Sequence, residues 1–378
     1  MRLLYITDAL AIYGGLERVL TQKVNWFAEH GHDVCVLTAN QGNHPFCFSL
    51  HPKVLYDDLN VLFQRQYCFP IWKRLFVRRK LKQKFRQGLK DKIREFSPDI
   101  IICVKLEYVR NIIRVKGDIP FVYESHSSCL CGKFERDSLT RRLYMWYLKL
   151  SLDKADAVVA LTNGDAKEWR KYSSNVSVIP NVVALNNGNL SDSSAKSAIF
   201  VGRLHKQKDI GSLLRIWTDV NQKHPEWQLH VYGDYGNEAV RHGYEKKNMD
   251  TNIVFHEPTS MIIDRYKENS LLLLTSLYEP FGLVLPEAMS CGLPVVSFDC
   301  PYGPADIISD GIDGYLIKNR DIVHFVNQVC KLIDDASLRK KMGSNGAHSS
   351  SRFCTDTIMP QWMFLFLELV KKKKGNPF

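Results

Sequence analysis

Short apolar runs rich in β-branched residues alternate along this chain with longer stretches in which apolar positions recur at helical spacing. Leu3–Thr7 reads as a first strand, Leu16–His30 as a helix ending at Gly31, and Val34–Thr38 as a second strand. Further apolar runs lie at Ile100–Val104, Phe121–Tyr123, Ala157–Leu161 and Val176–Ile179. Between Asn181 and Lys196 the chain turns polar and turn-prone, as a linker would. The alternation then restarts at Ile199–Gly202, Gln228–Tyr232, Ile253–Phe255, Leu271–Leu274, Val295–Phe298 and Tyr315–Ile317. Strands separated by helices imply βαβ units and parallel sheets, and two such sets suggest an α/β chain of two Rossmann-like halves. The expected division is residues 1–182, a linker at 183–197, a second domain at 198–355 and a closing helix at 356–378. That last segment carries Met359, Trp362, Phe364, Leu365, Phe366 and Leu369, so it needs a surface to pack on, expected to be the first domain.

The length of 378 residues fits two domains, and 45% apolar with 24% charged residues is ordinary for a globular protein. No stretch approaches the ~18–20 apolar residues of a membrane span, and Met1–Thr7 reads as a buried strand, so a cytoplasmic location is expected. Of the ten cysteines only Cys129 and Cys131 are close neighbours, and no C-x-x-C pair exists. Reduced thiols are expected, with no zinc site and no disulfide framework. The net charge of +11 is concentrated. Eleven Lys/Arg and one acid, Asp91, fall between Lys73 and Arg94, a net +10. Apolar Leu75, Phe76, Leu81, Phe85 and Leu89 recur among these cations at roughly helical spacing, as in a basic amphipathic helix resting on a membrane, the competing reading being a soluble face whose Leu and Phe side chains pack inward.

Four segments carry candidate chemistry. Gly14-Gly15-Leu16-Glu17 follows the first strand and opens a helix, where small residues admit a ligand and the helix end favours an anion. Gly202-Arg203-Leu204 with Lys208 follows the first strand of the second half, and two cations there suit a diphosphate. Glu279-Pro280-Phe281-Gly282 leads into a helix carrying Glu287, so two carboxylates can address one polyhydroxylated ligand. Glu124-Ser125-His126 ends a strand, where a histidine can contact a reacting sugar or donate a proton. The plain structural alternatives are a βα turn, a solvated basic loop, a helix-start Glu pair and a structural histidine.

These strings resemble the family-4 retaining glycosyltransferases of the GT-B fold. The likeness is carried by Gly14-Gly15, by Gly202-Arg203-Leu204 to Lys208, and by Glu279-Pro280-Phe281-Gly282 running through Glu287-Ala288-Met289-Ser290-Cys291-Gly292-Leu293-Pro294. Gly311-Ile312-Asp313-Gly314-Tyr315 also fits. The resemblance implies two facing Rossmann-like domains with a deep interdomain cleft, an acceptor-side N-terminal domain and a C-terminal domain for the donor. It implies that Arg203 and Lys208 hold the donor diphosphate and that Glu287 binds the ribose. Glu279 would touch the transferred sugar, with the backbone of Phe281, Gly282, Leu283 and Val284 around sugar and phosphate. Gly14 and Gly15 would lie near the phosphate, and His126 near the reactive face of the sugar.

No Asp-x-Asp metal motif is visible and no cofactor is expected, so the two cations would do the work of a metal. The expected reaction moves a hexose or N-acetylhexosamine from a UDP-linked donor, with retention, to a glycan acceptor. That acceptor is expected to be lipid-linked, in bacterial surface polysaccharide or lipopolysaccharide assembly. The enzyme would sit peripherally at the inner face of the membrane through residues 73–94. The chain departs from the family at Asp209, where a glycine is frequent, and around Cys129, Cys131 and Gly132. The alternatives are a GT-B epimerase or phosphorylase, or a nucleic-acid- or membrane-binding protein acting through the basic segment. Only Phe76 and Phe85 interleave its cations and no recognition motif is present, so nucleic acid is not expected as a partner.

Overall fold

The computed structural model describes residues 1–129, 139–236, 243, 251–373 and 375, with the side chains of 140–142, 144 and 145 also outside the description. Cys131 and Gly132 lie outside the described residues. The chain divides into two compact units. The first holds Met1–Leu161, Asp165–Val182 and Met359–Phe378, and the second holds Thr162–Gly164 and Val183–Ile358.

In chain order the first part runs β1 (Arg2–Thr7), α1 (Gly15–Glu29), β2 (Asp33–Thr38), β3 (Leu55–Asp58), α2 (Ile71–Phe96) and β4 (Ile100–Cys103). It continues with α3 (Leu106–Ile113), β5 (Phe121–Glu124), α4 (Leu139–Lys149), β6 (Ala157–Ala160), α5 (Asn163–Trp169) and β7 (Val176–Val178). Then follow β8 (Ser197–Val201), α6 (Ile210–Lys223), β9 (Gln228–Tyr232), β10 (Ile253–His256), α7 (Ile262–Lys267) and β11 (Leu271–Leu274). The chain closes with α8 (Val284–Ser290), β12 (Val295–Asp299), α9 (Gly303–Ile307), β13 (Gly314–Lys318), α10 (Ile322–Asp334), α11 (Ala336–Ser350) and α12 (Thr355–Lys373).

Among the described residues the first sheet has the order β3-β2-β1-β4-β5-β6-β7 and the second β10-β9-β8-β11-β12-β13, with every pairing parallel. Such strands are covered on both faces, which is why their sequences are almost continuously apolar. In β1 the alternation assigns the faces. Leu4 and Ile6 join the cluster built with α2, α3, α4 and α5 through Phe85, Leu89, Val109, Ile112, Leu148 and Trp169. Tyr5 points the other way, with its ring centroid 6.4 Å from Phe27 of α1, and Phe27 lies 5.7 Å from Phe366 of α12. The C-terminal helix therefore supplies part of the first unit's second layer.

The second unit centres on Phe200, Trp217, Val231, Leu273, Phe298 and Phe325. The polar stretch ahead of β8 is fastened to this unit. Asn186 N–H donates to Ser290 Oγ at 3.0 Å, Ser191 N–H to the Cys291 carbonyl at 2.8 Å, and Arg339 Nη2 to the Ser193 carbonyl at 3.0 Å.

The basic helix departs from the sequence expectation. Its Phe85 and Leu89 are fully buried and Leu81 packs against the same cluster, because α2 must cover the sheet beside α3. That stripe is core, worth about 2 kcal/mol per large side chain, and is not a membrane face. Leu75 and Phe76 stay exposed. No helix among the described residues is long and apolar enough to cross a membrane.

Candidate functional site

The second sheet reverses its order between β8 and β11, and open α/β sheets bind ligands beyond the strand ends at such a point. Both segments singled out in this half leave those two strands. Gly202–Lys208 follows β8, and Ser276–Glu279 follows β11.

The two loops are stitched together. Thr275 Oγ1 donates to the Lys208 carbonyl at 3.0 Å, Leu277 N–H to the Gln207 carbonyl at 2.7 Å, and Gln207 Nε2 to the Tyr278 carbonyl at 2.9 Å. The Lys208 ammonium is thereby brought onto Glu279 Oε1 as an ion pair, and Ser276 Oγ donates to the same oxygen at 2.7 Å. The backbone of Glu279 is itself fixed. Its N–H donates to the Pro301 carbonyl at 2.6 Å, and its carbonyl accepts from the Tyr302 and Gly303 N–H groups, each at 2.8 Å. Arg203 is exposed on the first loop, and no described residue hydrogen-bonds its guanidinium.

Asp209 explains one departure from the family. Its φ is +45°, in the left-handed region that glycine normally fills, and its carboxylate pairs with Arg320. The turn into α6 is thus kept, with an ion pair holding the strained residue.

The loop before α8 depends on glycine twice. Gly282 has φ +94°. A Cβ on Gly303 would lie 1.8 Å from the Phe281 carbonyl oxygen. Among the described residues neither the Gly282 nor the Leu283 N–H finds an acceptor. Glu287 is buried on α8 and accepts from Tyr266 OH at 3.2 Å. Glu287 and Glu279 thus stand on separate elements, and of these two carboxylates Lys208 pairs with Glu279.

The first unit holds the remaining candidates. Gly14 caps α1 with extended backbone, and a Cβ there would come 2.3 Å from Glu17 Oε2, so the Glu17 carboxylate lies over this turn. At the end of β5, Glu124 is fully buried. Its Oε1 accepts from Lys23 Nζ at 2.7 Å and meets His126 Nε2 at 2.9 Å, while Oε2 has no hydrogen-bond partner among the described residues. Burial works against its charge, but Lys23 and then His126 hold the carboxyl down to about 2. Burial likewise lowers Lys23 to about 8 against the pull of Glu124, so both are ionised at neutral pH. An ionised carboxylate cannot donate, so Nε2 of His126 carries the proton, and in the neutral ring Nδ1 keeps the lone pair. Lys23 Nζ also sits 3.4 Å from the Trp362 ring centroid of α12.

Ser276 and Tyr266, which hold the two carboxylates, and the Lys23–Glu124 pair escaped the sequence reading. One signal was available. Lys23 interrupts a stripe of α1 that otherwise buries Val19, Leu20, Val24 and Phe27, and a charge on a buried stripe needs a partner. Among the described residues no three His, Cys, Asp or Glu side chains are grouped as a metal site requires.

Two parallel, doubly wound units, with cations and carboxylates at the switch point of the second, define a glycosyltransferase of the GT-B fold. The glycosyl transferases group 1 model matches residues 185–349 and the glycosyltransferase family 4 model residues 13–187. The chain belongs to the family-4 glycosyltransferases. It is 26% identical over 372 residues to the amylovoran biosynthesis glycosyltransferase AmsD of Erwinia amylovora, covering 96% of this chain and 98% of that one. It is 29% identical over 233 residues to the exopolysaccharide phosphotransferase SCO2592 of Streptomyces coelicolor, covering 60% of this chain but only 25% of that much longer protein. The Staphylococcus aureus TarM G117R mutant, solved in complex with Fondaparinux, alpha-GlcNAc-glycerol and UDP, superposes with TM-score 0.77 at 16% identity, over 97% of this chain and 99% of that one. At that identity the superposition speaks for the fold.

Proposed function

We propose that this enzyme moves a hexose or N-acetylhexosamine from a UDP-sugar to a lipid-linked glycan acceptor at the membrane, with retention at the anomeric carbon and without a metal. The observation that carries the reading is the Lys208–Glu279 pair beside exposed Arg203 at the β8–β11 switch point. Breaking the anomeric carbon–phosphate bond leaves negative charge on the nucleoside diphosphate. Fixed cations stabilise that charge best when they are already in place. In this reading Arg203 and Lys208 take the diphosphate, aided by the Gly282 and Leu283 amides and the Gly14–Gly15 turn. Glu287, steadied by Tyr266, takes the ribose hydroxyls. Glu279 exchanges part of its contact with Lys208 for the transferred sugar, and His126, oriented through Nε2, acts at the reactive face. The UDP in the TarM complex and the amylovoran role of AmsD support the donor and the acceptor class.

The test is a calorimetric screen of nucleoside-diphosphate sugars, followed by transfer to glycan acceptors with the product anomer read by NMR. UDP-sugars should bind, the product should keep the donor's α or β configuration, and turnover should persist in EDTA. Binding of no nucleotide sugar would sink the reading. An inverted product, or activity lost to EDTA and restored by magnesium, would overturn its mechanistic half.

A further inference from the structure

Helix α2 is longer than the core it covers. At 1.5 Å per residue its 26 residues span about 39 Å. Ile71, Leu75, Arg78, Lys82 and Leu89 fall on one stripe of this helix at 100° per residue. Leu89 is fully buried there, yet Leu75 and Ile71, about four and five turns upstream on the same stripe, are 76% and 78% exposed. Trp72 at 74% and Phe76 at 62% widen the bare end, and Tyr67 at 66% precedes it. A contiguous exposed patch of large apolar side chains marks a surface that something covers.

Charge narrows what that something is. Between the bare end and the buried end, Lys82 faces like charges from two helices. Its ammonium is shifted down first by burial and then by Arg78, Arg114, Arg110 and Arg86. A hollow of about 360 Å³ lined by Arg86, Lys90 and Arg114 opens beside it, and another of about 300 Å³ is lined by Arg110 and Arg114 together with Asp153. Exposed Lys73, Arg79 and Lys80 flank the apolar end. The partner must therefore be anionic and apolar at once. Nucleic acid offers no apolar layer for Ile71 and Leu75, whereas an anionic bilayer offers both.

We propose that the bare end of α2 and the α2–α3 seam form a docking surface for an anionic phospholipid bilayer, with Trp72, Leu75 and Phe76 entering the interface while Arg78, Lys82, Arg110 and Arg114 meet lipid phosphates. This deepens the lipid-linked acceptor reading of the proposed function. It moves the contact from the Leu81–Phe85–Leu89 stretch, which is core, to the exposed upstream end of the same helix. Trp and Phe favour the interfacial layer, and long cations reach headgroups from it.

The experiment is flotation of the full chain at physiological ionic strength with phosphatidylcholine vesicles, with and without phosphatidylglycerol, and with no donor or acceptor present. The wild type should float only with phosphatidylglycerol. Lys82→Gln with Arg110→Gln should weaken binding about 25-fold, at about fivefold per cation removed. Trp72→Ser with Phe76→Ser should weaken it at least about tenfold with unchanged melting, since both side chains are already exposed. Failure of the wild type to float, equal binding to neutral vesicles, or tighter binding to an oligonucleotide would each overturn the proposal. So would a dimer broken by the Trp72/Phe76 variant without loss of flotation. Donor transfer to a soluble acceptor, run beside it, separates the two readings. Transfer without flotation sinks only the docking surface, and flotation without transfer sinks only the enzymatic reading.

Discussion

Lys208 and Glu279 neutralise each other as an ion pair, and that has a measurable consequence for stability and for nucleotide affinity. Their side chains are 16% and 6% exposed. Two unit charges 4 Å apart attract by about 4 kcal/mol at an effective dielectric near 20. Desolvating both partners offsets roughly half of that, leaving a coupling of about 2 kcal/mol. Lys208→Met strands a nearly buried carboxylate whose remaining donor is Ser276, at 2.7 Å. It should cost about 2–3 kcal/mol, at the low end for a broken buried pair. Melting of the second unit, read by calorimetry, should fall by about 4–10 °C. Glu279→Gln leaves an ammonium that still reaches water and should cost about 1 kcal/mol. The double variant should be less destabilised than the sum by about 1–2 kcal/mol. Affinity adds a second, opposite signature. Glu279→Gln releases Lys208 for an incoming anion, so UDP titrated by calorimetry should bind several-fold tighter while turnover falls. Lys208→Met should weaken UDP and lower turnover by about 100-fold, as loss of one preorganised charge stabiliser does. Additive melting losses together with unchanged or weaker UDP binding in Glu279→Gln would refute both the pairing energetics and the clamp.

Acid should loosen the first unit through Glu124. Its folded pKa lies below that of the unfolded chain, so the stability it confers is present above the ordinary carboxyl range and drains away as pH falls toward about 2. Glu124→Gln should flatten the acid limb of the melting curve between about pH 5 and 2, and curves parallel to wild type would show the pair to be inert. Gly303→Ala drives a methyl group against the Phe281 carbonyl oxygen, 1.8 Å from its ideal position. It should cost about 3 kcal/mol or more and impair UDP binding by displacing the Gly282 loop, and a variant with wild-type melting and affinity would rule out this close packing.

Both sheets were readable because central parallel strands are apolar on two faces and leave an unambiguous run, as in Leu271–Leu274. The strand β3 was not, because Leu55–Asp58 is a half-exposed edge strand that ends in two aspartates. The loops at the β8–β11 switch point were legible as strings, since the positive φ of Gly282 demands glycine and the cations and carboxylates around it stand in a short, distinctive order. Their partners were not. Lys23 and Glu124 lie 101 residues apart, and no local pattern joins them. Helix α2 misled for a different reason. Periodicity shows that Leu81, Phe85 and Leu89 share a face, but only the neighbouring α3 and the sheet beneath decide that this face is covered.

The two concentrations of positive charge in this chain are handled in opposite ways. At the switch point of the second unit, Lys208 is pinned to Glu279 and Asp209 to Arg320, and these pairs hold the shape of the loop. A cation already neutralised attracts a lone phosphate weakly, because the anion must displace a carboxylate whose geometry Ser276 and three backbone hydrogen bonds already fix. In the proposed function a ligand that also brings hydroxyls for Glu279 and a ribose for Glu287 repays that exchange, so the pairing would favour a nucleotide sugar over bare phosphate. Along α2 and α3 the opposite holds. Burial and then Arg78, Arg114, Arg110 and Arg86 depress the Lys82 ammonium. Like charges held together cost stability in the isolated protein, and an anionic partner relieves that cost. Selectivity for one small molecule calls for charges that are paired in advance. The adhesion proposed for α2 calls for charges in excess, and the segment from Lys73 to Arg94 carries a net +10 of which Lys92 is paired with Asp57 and Glu95.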